Sequence, residues 1–143
     1  MTAETELRVE RRIAASPAAV YRHLTDSVRW ARWQGASAEL EPVPGGRFRL
    51  VMINGSIVEG RFVELVPDER VTFTWGWHGS ATLPPGSSTV EIELVSDGDG
   101  TLVRLTHRGL PAEERAVHEF GWEMYLPRLA IAAAGGDPGP EPA

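Results

Sequence analysis

Two histidines occupy positions from which protons could be traded. His107 closes an alternating run with Val103 and Leu105, and His118 opens a helical stripe with Trp122, Tyr125 and Leu129. Imidazole titrates near neutral pH, so two such rings facing one cavity would be candidates for a general acid and base. The competing assignment for each ring is a structural hydrogen bond. Arg11 shares the phase of Val9 and Ile13, which puts a charge on an apolar strand face. It is a candidate anchor for a polar group on a ligand; the competing assignment is a strand-end charge reaching solvent or a buried ion pair. Other chemistries lack their residues. With zero cysteines there is no thiol nucleophile and no disulfide framework. There is no G-x-S-x-G elbow, and the Gly/Ser-rich GSATLPPGSS has no P-loop lysine. The four histidines, at 23, 78, 107 and 118, show no paired ligand spacing, so neither a metal nor a cofactor is expected.

Composition narrows the classes. At 143 residues the chain can bury the core of one domain, and 42% apolar with 24% charged residues is ordinary for a globular protein. A net charge of −6 argues against nucleic acid, which needs a basic surface. No apolar run approaches the roughly 20 residues of a membrane span. The first residues, MTAETELRVERR, lack the apolar core of a signal peptide, so a cytoplasmic location is expected.

The elements that must position these side chains can be read in order. Leu7, Val9, Arg11 and Ile13 alternate with Arg8, Glu10 and Arg12 as in a strand. Ser16-Pro17 starts a short helix carrying Val20, Tyr21 and Leu24, and Asp26 caps a second with Val28, Trp30 and Trp33. A meander follows. Phe48, Leu50 and Met52 share one face, Asn54-Gly55 marks a hairpin, and Val71, Phe73, Trp75 and Trp77 alternate with Thr72, Thr74 and Gly76. Pro111 opens the last helix, with Glu113 and Glu114 in its first turn where the macrodipole favours acids. That helix has a second apolar stripe, Val117, Phe120 and Met124, which predicts a grip on more than one side. Gly121 is expected to allow close approach to a strand, and Pro127 to bend the helix. The order is strand, two short helices, about six antiparallel strands and one long helix, an α+β arrangement with the sheet wrapped around the helix.

These residues carry a resemblance. RRIAASPAAVY, WARWQG, PVPGGRFRL, FVELVPDERVTFTWGW, GTLVRLTHRGLP and HEFGWEMYLPRLA together resemble the activator-of-heat-shock-ATPase-homologue branch of the START/polyketide-cyclase-like (SRPBCC) superfamily. They occur in the family's order and span nearly all of residues 7–134. Where much of that branch doubles a tryptophan, Trp33 here is followed by Gln34. The resemblance implies a helix-grip fold, with a curved antiparallel sheet of about six to seven strands and a cavity between sheet and C-terminal helix.

On this reading residues 1–6 are a flexible start, 7–134 a single domain and 135–143 a disordered tail. The cavity residues expected are Trp33, Phe48, Met52, Phe73, Trp75, Trp77, His107, His118, Trp122, Tyr125 and Leu129, with Arg11 as polar anchor. The leading function is binding of an apolar or aromatic, lipid- or polyketide-like molecule without cofactor chemistry. The alternatives are a cyclase or dehydratase using His107 or His118, and a co-chaperone-like interaction module. The chain is expected to be a monomer or homodimer. Whether the aromatic residues fill the interior or line a hollow is left open by the sequence.

Overall fold

The computed structural model describes residues 5–142. Ten elements follow one another: β1 (Thr5–Ile13), α1 (Pro17–Thr25), α2 (Ser27–Trp30), β2 (Ser37–Leu40), β3 (Arg47–Val51), β4 (Ile57–Val66), β5 (Arg70–Trp75), β6 (Ser88–Asp97), β7 (Gly100–Leu110) and α3 (Ala112–Ala133). Of the expected flexible start, residues 1–4 lie outside the described residues, whereas Thr5 and Glu6 already belong to β1. The caps form as their residue types dictate. Ser16 Oγ accepts from the Ala19 amide at 3.2 Å with Pro17 in the first turn, and Asp26 Oδ1 accepts from the Arg29 amide at 2.9 Å.

All seven strands join one antiparallel sheet in the order β1-β7-β6-β5-β4-β3-β2. The period-two patterning decides which face is wet. Along β6, Ser88, Val90, Ile92 and Leu94 are buried while Thr89, Glu91 and Glu93 are half-exposed. The fold is α+β and helix-grip. α3 packs chiefly against β1 and also touches α1, while α1 and α2 close the same layer.

Most of the volume between helices and sheet is solid. Phe48 and Phe73 stack with ring centroids 4.1 Å apart, and Trp30 and Phe62 meet Phe48 edge-on at 5.2 and 5.7 Å. Trp33 packs on Trp30 at 4.7 Å and donates its indole N–H to the His23 carbonyl. This aromatic block is fully buried. Truncating one such ring to alanine costs about 3–5 kcal/mol in a core that cannot collapse around the gap.

The alternating run through Trp77 is interrupted. β5 ends at Trp75, and Trp77 forms only an isolated bridge with Val58. Gly76 is the reason: a Cβ there would lie 1.8 Å from the Pro84 carbonyl oxygen, because the 79–87 loop folds back onto the strand end. That fold-back is held by the Trp77 amide on the Leu83 carbonyl at 2.8 Å and carries Trp77 toward α3.

Candidate functional site

Three tryptophans and two histidines meet where α3 crosses the ends of β5, β6 and β7. Trp122 donates its indole N–H to His107 Nδ1 at 3.0 Å. His107 Nε2 is then the protonated nitrogen, and it donates to Ser88 Oγ at 2.8 Å. Ser88 donates its own hydroxyl O–H to the Trp75 carbonyl at 2.8 Å. His118 has the opposite tautomer. Its Nδ1 lies 2.8 Å from the Glu114 carbonyl, which can only accept, so Nδ1 donates. His118 Nε2 then accepts from the indoles of Trp77 at 3.1 Å and Trp75 at 3.4 Å, two donors sharing one lone pair. The rings meet edge to face with centroids 5.4 Å apart.

The electrostatics agree with this geometry. Burial, with a smaller push from His118, lowers the His107 pKa to about 3. Burial also lowers that of His118, against the Glu114 carbonyl and carboxylate, which favour the charged ring. Each ring is neutral and serves as an acceptor for indole N–H groups. All four ring nitrogens are engaged within the protein, so neither ring has a nitrogen left to take a substrate proton.

Above this network lies an open cleft of about 850 Å³. One wall is α3, through Val117, His118, Phe120, Gly121, Trp122, Met124 and Tyr125. The other comes from Trp75, Trp77 and the β3–β4 hairpin, through Met52 and Ile53. Gln34 lines one end, and its Oε1 accepts the Trp30 indole N–H at 3.1 Å.

The expected cavity residues divide. Met52, Trp75, Trp77, His118, Trp122 and Tyr125 line the cleft. Trp33, Phe48, Phe73, His107 and Leu129 do not; each is completely buried in the core. His107 lies beneath Trp122 rather than beside a ligand space. Arg11 is exposed and does not line the cleft, so it is not an anchor there, although Leu7 and Ile13 on the same phase of β1 are fully buried. Gly121 needs correcting as well. A Cβ there would meet nothing within 4 Å, so this glycine opens space in the cleft wall instead of admitting a strand. Of the second helix stripe, Phe120 is 72% and Val117 60% exposed, so that side of α3 is not gripped.

The tail makes contacts of its own. Residues 137–142 fold back across one end of the cleft. Arg128 holds them with a single guanidinium, donating to the carbonyls of Pro138 at 3.2 Å, Gly139 at 2.9 Å and Pro140 at 3.4 Å, and to the Trp33 carbonyl at 3.0 Å. A proline-rich segment has few amides but all its carbonyls, so a five-donor side chain can order it. Glu141 then accepts from the Gly35 amide at 2.8 Å and the Tyr125 hydroxyl at 3.1 Å, and joins Pro142 in lining the cleft. Burial first, then the Glu141 carboxylate, raises the Tyr125 pKa above the usual phenol range.

Contributors not anticipated from the sequence include Gln34, Ile53, Glu114, Glu141 and Ser88. Only Ser88 left a signal, as a small polar residue on the inward phase of Val90, Ile92 and Leu94. Among the described residues no helix is long and apolar enough to cross a membrane. No group of three or more His, Asp or Glu side chains among them is placed to hold a metal ion.

Comparison with known proteins places this architecture. The chain is 49% identical to an AHSA1-like protein from Rhizobium etli, with a TM-score of 0.75 over 98% of this chain and 88% of that one. It is 30% identical to CalU16 from Micromonospora echinospora, with a TM-score of 0.77 over 94% of this chain and 69% of that one. It is also 30% identical over 111 residues to the human Activator of 90 kDa heat shock protein ATPase homolog 1, covering 77% of this chain. It spans only 31% of that relative's length. Residues 14–134 match the family model described as Activator of Hsp90 ATPase homolog 1-like protein, and the chain belongs to that family.

Proposed function

We propose that this domain binds a small apolar or aromatic molecule in the cleft between α3 and the β3–β5 side of the sheet. One observation carries the reading: the indole N–H groups of Trp75, Trp77 and Trp122 are all turned onto histidine nitrogens. The floor of the cleft therefore presents ring surface without exposed donors. Ile53, Val117 and Phe120 add exposed apolar side chains at its lips. A volume of about 850 Å³ falls within the usual range of small-molecule sites. Burying one lip side chain under a ligand would contribute on the order of 1–3 kcal/mol by area bookkeeping.

The test uses a neutral aromatic probe, 2-naphthalenemethanol, titrated calorimetrically into the wild type and into Gly121→Leu. The substitution fills the cleft from a position where nothing obstructs a side chain. Binding in the wild type that weakens at least tenfold in the variant supports the reading. Absence of heat at millimolar probe, or equal binding by both proteins, overturns it.

A second reading has an observation of its own. Phe120 and Val117 lie in the open on one helix face, and the curated relatives are activators of a heat-shock ATPase. An interaction module would use that face. Capture of a 90 kDa heat-shock protein that is lost in Phe120→Ser would favour it over the ligand reading. The cyclase or dehydratase alternative is weakened, because every nitrogen of His107 and His118 already has a partner inside the fold.

A further inference from the structure

Resting on the small-molecule reading above, we infer that the cleft selects a cationic aromatic ligand, a protonated amine on a flat apolar body, and that Glu141 sets this preference. The chain has 14 arginines, yet none lines the cleft. Its carboxylates are Glu114 toward one end and Glu141 on the tail. The groups that might offset them are occupied. Arg128 spends its guanidinium on the carbonyls of Trp33 and the tail. His118 is a neutral acceptor for two indoles, and His78, at the rim, is paired with Glu59. Glu114 accepts from the Thr82 hydroxyl at 3.1 Å.

Glu141 is held as a binding carboxylate would be. Each of its oxygens accepts one hydrogen bond, from the Gly35 amide and the Tyr125 hydroxyl. A carboxylate offers about four acceptor sites, so capacity remains for an ammonium donor. The surrounding rings favour the same charge. Trp77, Trp122 and Tyr125 line the cleft, and aromatic faces attract organic cations. A carboxylate ligand would find no cationic partner there and would be repelled by Glu141. The pocket thus discriminates against fatty acids and other anionic amphiphiles, although its apolar lining would accept their chains.

The experiment compares three probes that share one ring system: 2-naphthylmethylamine as its ammonium ion, 2-naphthalenemethanol and 2-naphthoate. Each is titrated into the full chain at pH 7.5 by calorimetry. The ammonium is expected to bind at least about tenfold more tightly than the carboxylate, a difference of about 1.4 kcal/mol. In Glu141→Gln that ratio should fall below about threefold while the neutral alcohol binds as before. Equal or tighter binding of the carboxylate overturns the inference, as does an unchanged ratio in Glu141→Gln. Equal affinity for all three overturns the charge preference alone and leaves the small-molecule reading standing. No binding of any probe overturns both.

Discussion

Trp122 donates its indole N–H to His107 Nδ1 at 3.0 Å, and that bond fixes the tautomer of His107. With Nδ1 accepting, Nε2 must donate, and Ser88 receives it. Protonating His107 would set an N–H against an indole N–H. The pair looks catalytic in sequence because it joins two titratable rings to an aromatic site. In the fold it works as an acceptor pair that satisfies three indoles, two of them buried. His107→Phe keeps a ring of similar size but leaves the Trp122 N–H without an acceptor. Each stranded buried donor or acceptor costs about 1–3 kcal/mol, so urea denaturation should show a loss of roughly that size or more. A loss below about 0.5 kcal/mol would mean the network contributes little.

Stability should fall with acidity well before the carboxylates titrate. Both buried rings are neutral in the folded chain, with His107 at a pKa of about 3 and His118 lowered. Unfolded histidine protonates near 6.5. From pH 6.5 down toward 3 the unfolded chain therefore holds more protons, and stability drops as pH falls. His107 alone gives a slope approaching about 1.4 kcal/mol per pH unit in that window. Urea midpoints at pH 7.5, 6 and 5 should decline together with that sign, and the decline should be shallower in His107→Phe.

Gly121 sits inside α3 with open space where a Cβ would go. Glycine within a helix costs about 1 kcal/mol relative to alanine. Gly121→Ala should therefore raise the unfolding free energy by about 0.5–1 kcal/mol, read from the urea midpoint at unchanged m-value. Destabilisation would mean that the helix needs glycine for packing after all.

Arg128 is the clasp on the tail. Removing its guanidinium frees the carbonyls of Pro138, Gly139 and Pro140 together. In Arg128→Ala the amides of Gly139 and Glu141 should relax as a mobile segment, with order parameters below about 0.6. Rigid values there would show that Glu141 alone suffices to hold the strap.

The fold was legible because its signals are local and periodic. Ser16-Pro17 and Asp26 cap their helices, Asn54-Gly55 turns a hairpin, and the alternation of β6 is clean. Of the helix stripe His118, Trp122, Tyr125 and Leu129, the structure buries all but Tyr125, which is half-buried. What the stripe faces was not legible. Phe48 and Phe73 stack in the core while Trp75 and Trp77 reach the cleft, and the same strand-face pattern produces both. Arg11 shows the limit of phase: it shares the register of Leu7 and Ile13, which are fully buried on the same strand, yet stays exposed. The contacts of the tail were not legible, because its Pro/Gly-rich composition gives no sign of the distant arginine that donates to its carbonyls.

The most direct test of the cleft as a binding site watches the five indole N–H resonances while 2-naphthylmethylamine is added. Trp77 and Trp122 line the cleft, whereas Trp30 and Trp33 are sealed in the aromatic block. The expected result is saturable shifts of the Trp77 and Trp122 signals with those of Trp30 and Trp33 unmoved. No saturable shift, or shifts confined to Trp30 and Trp33, would contradict it.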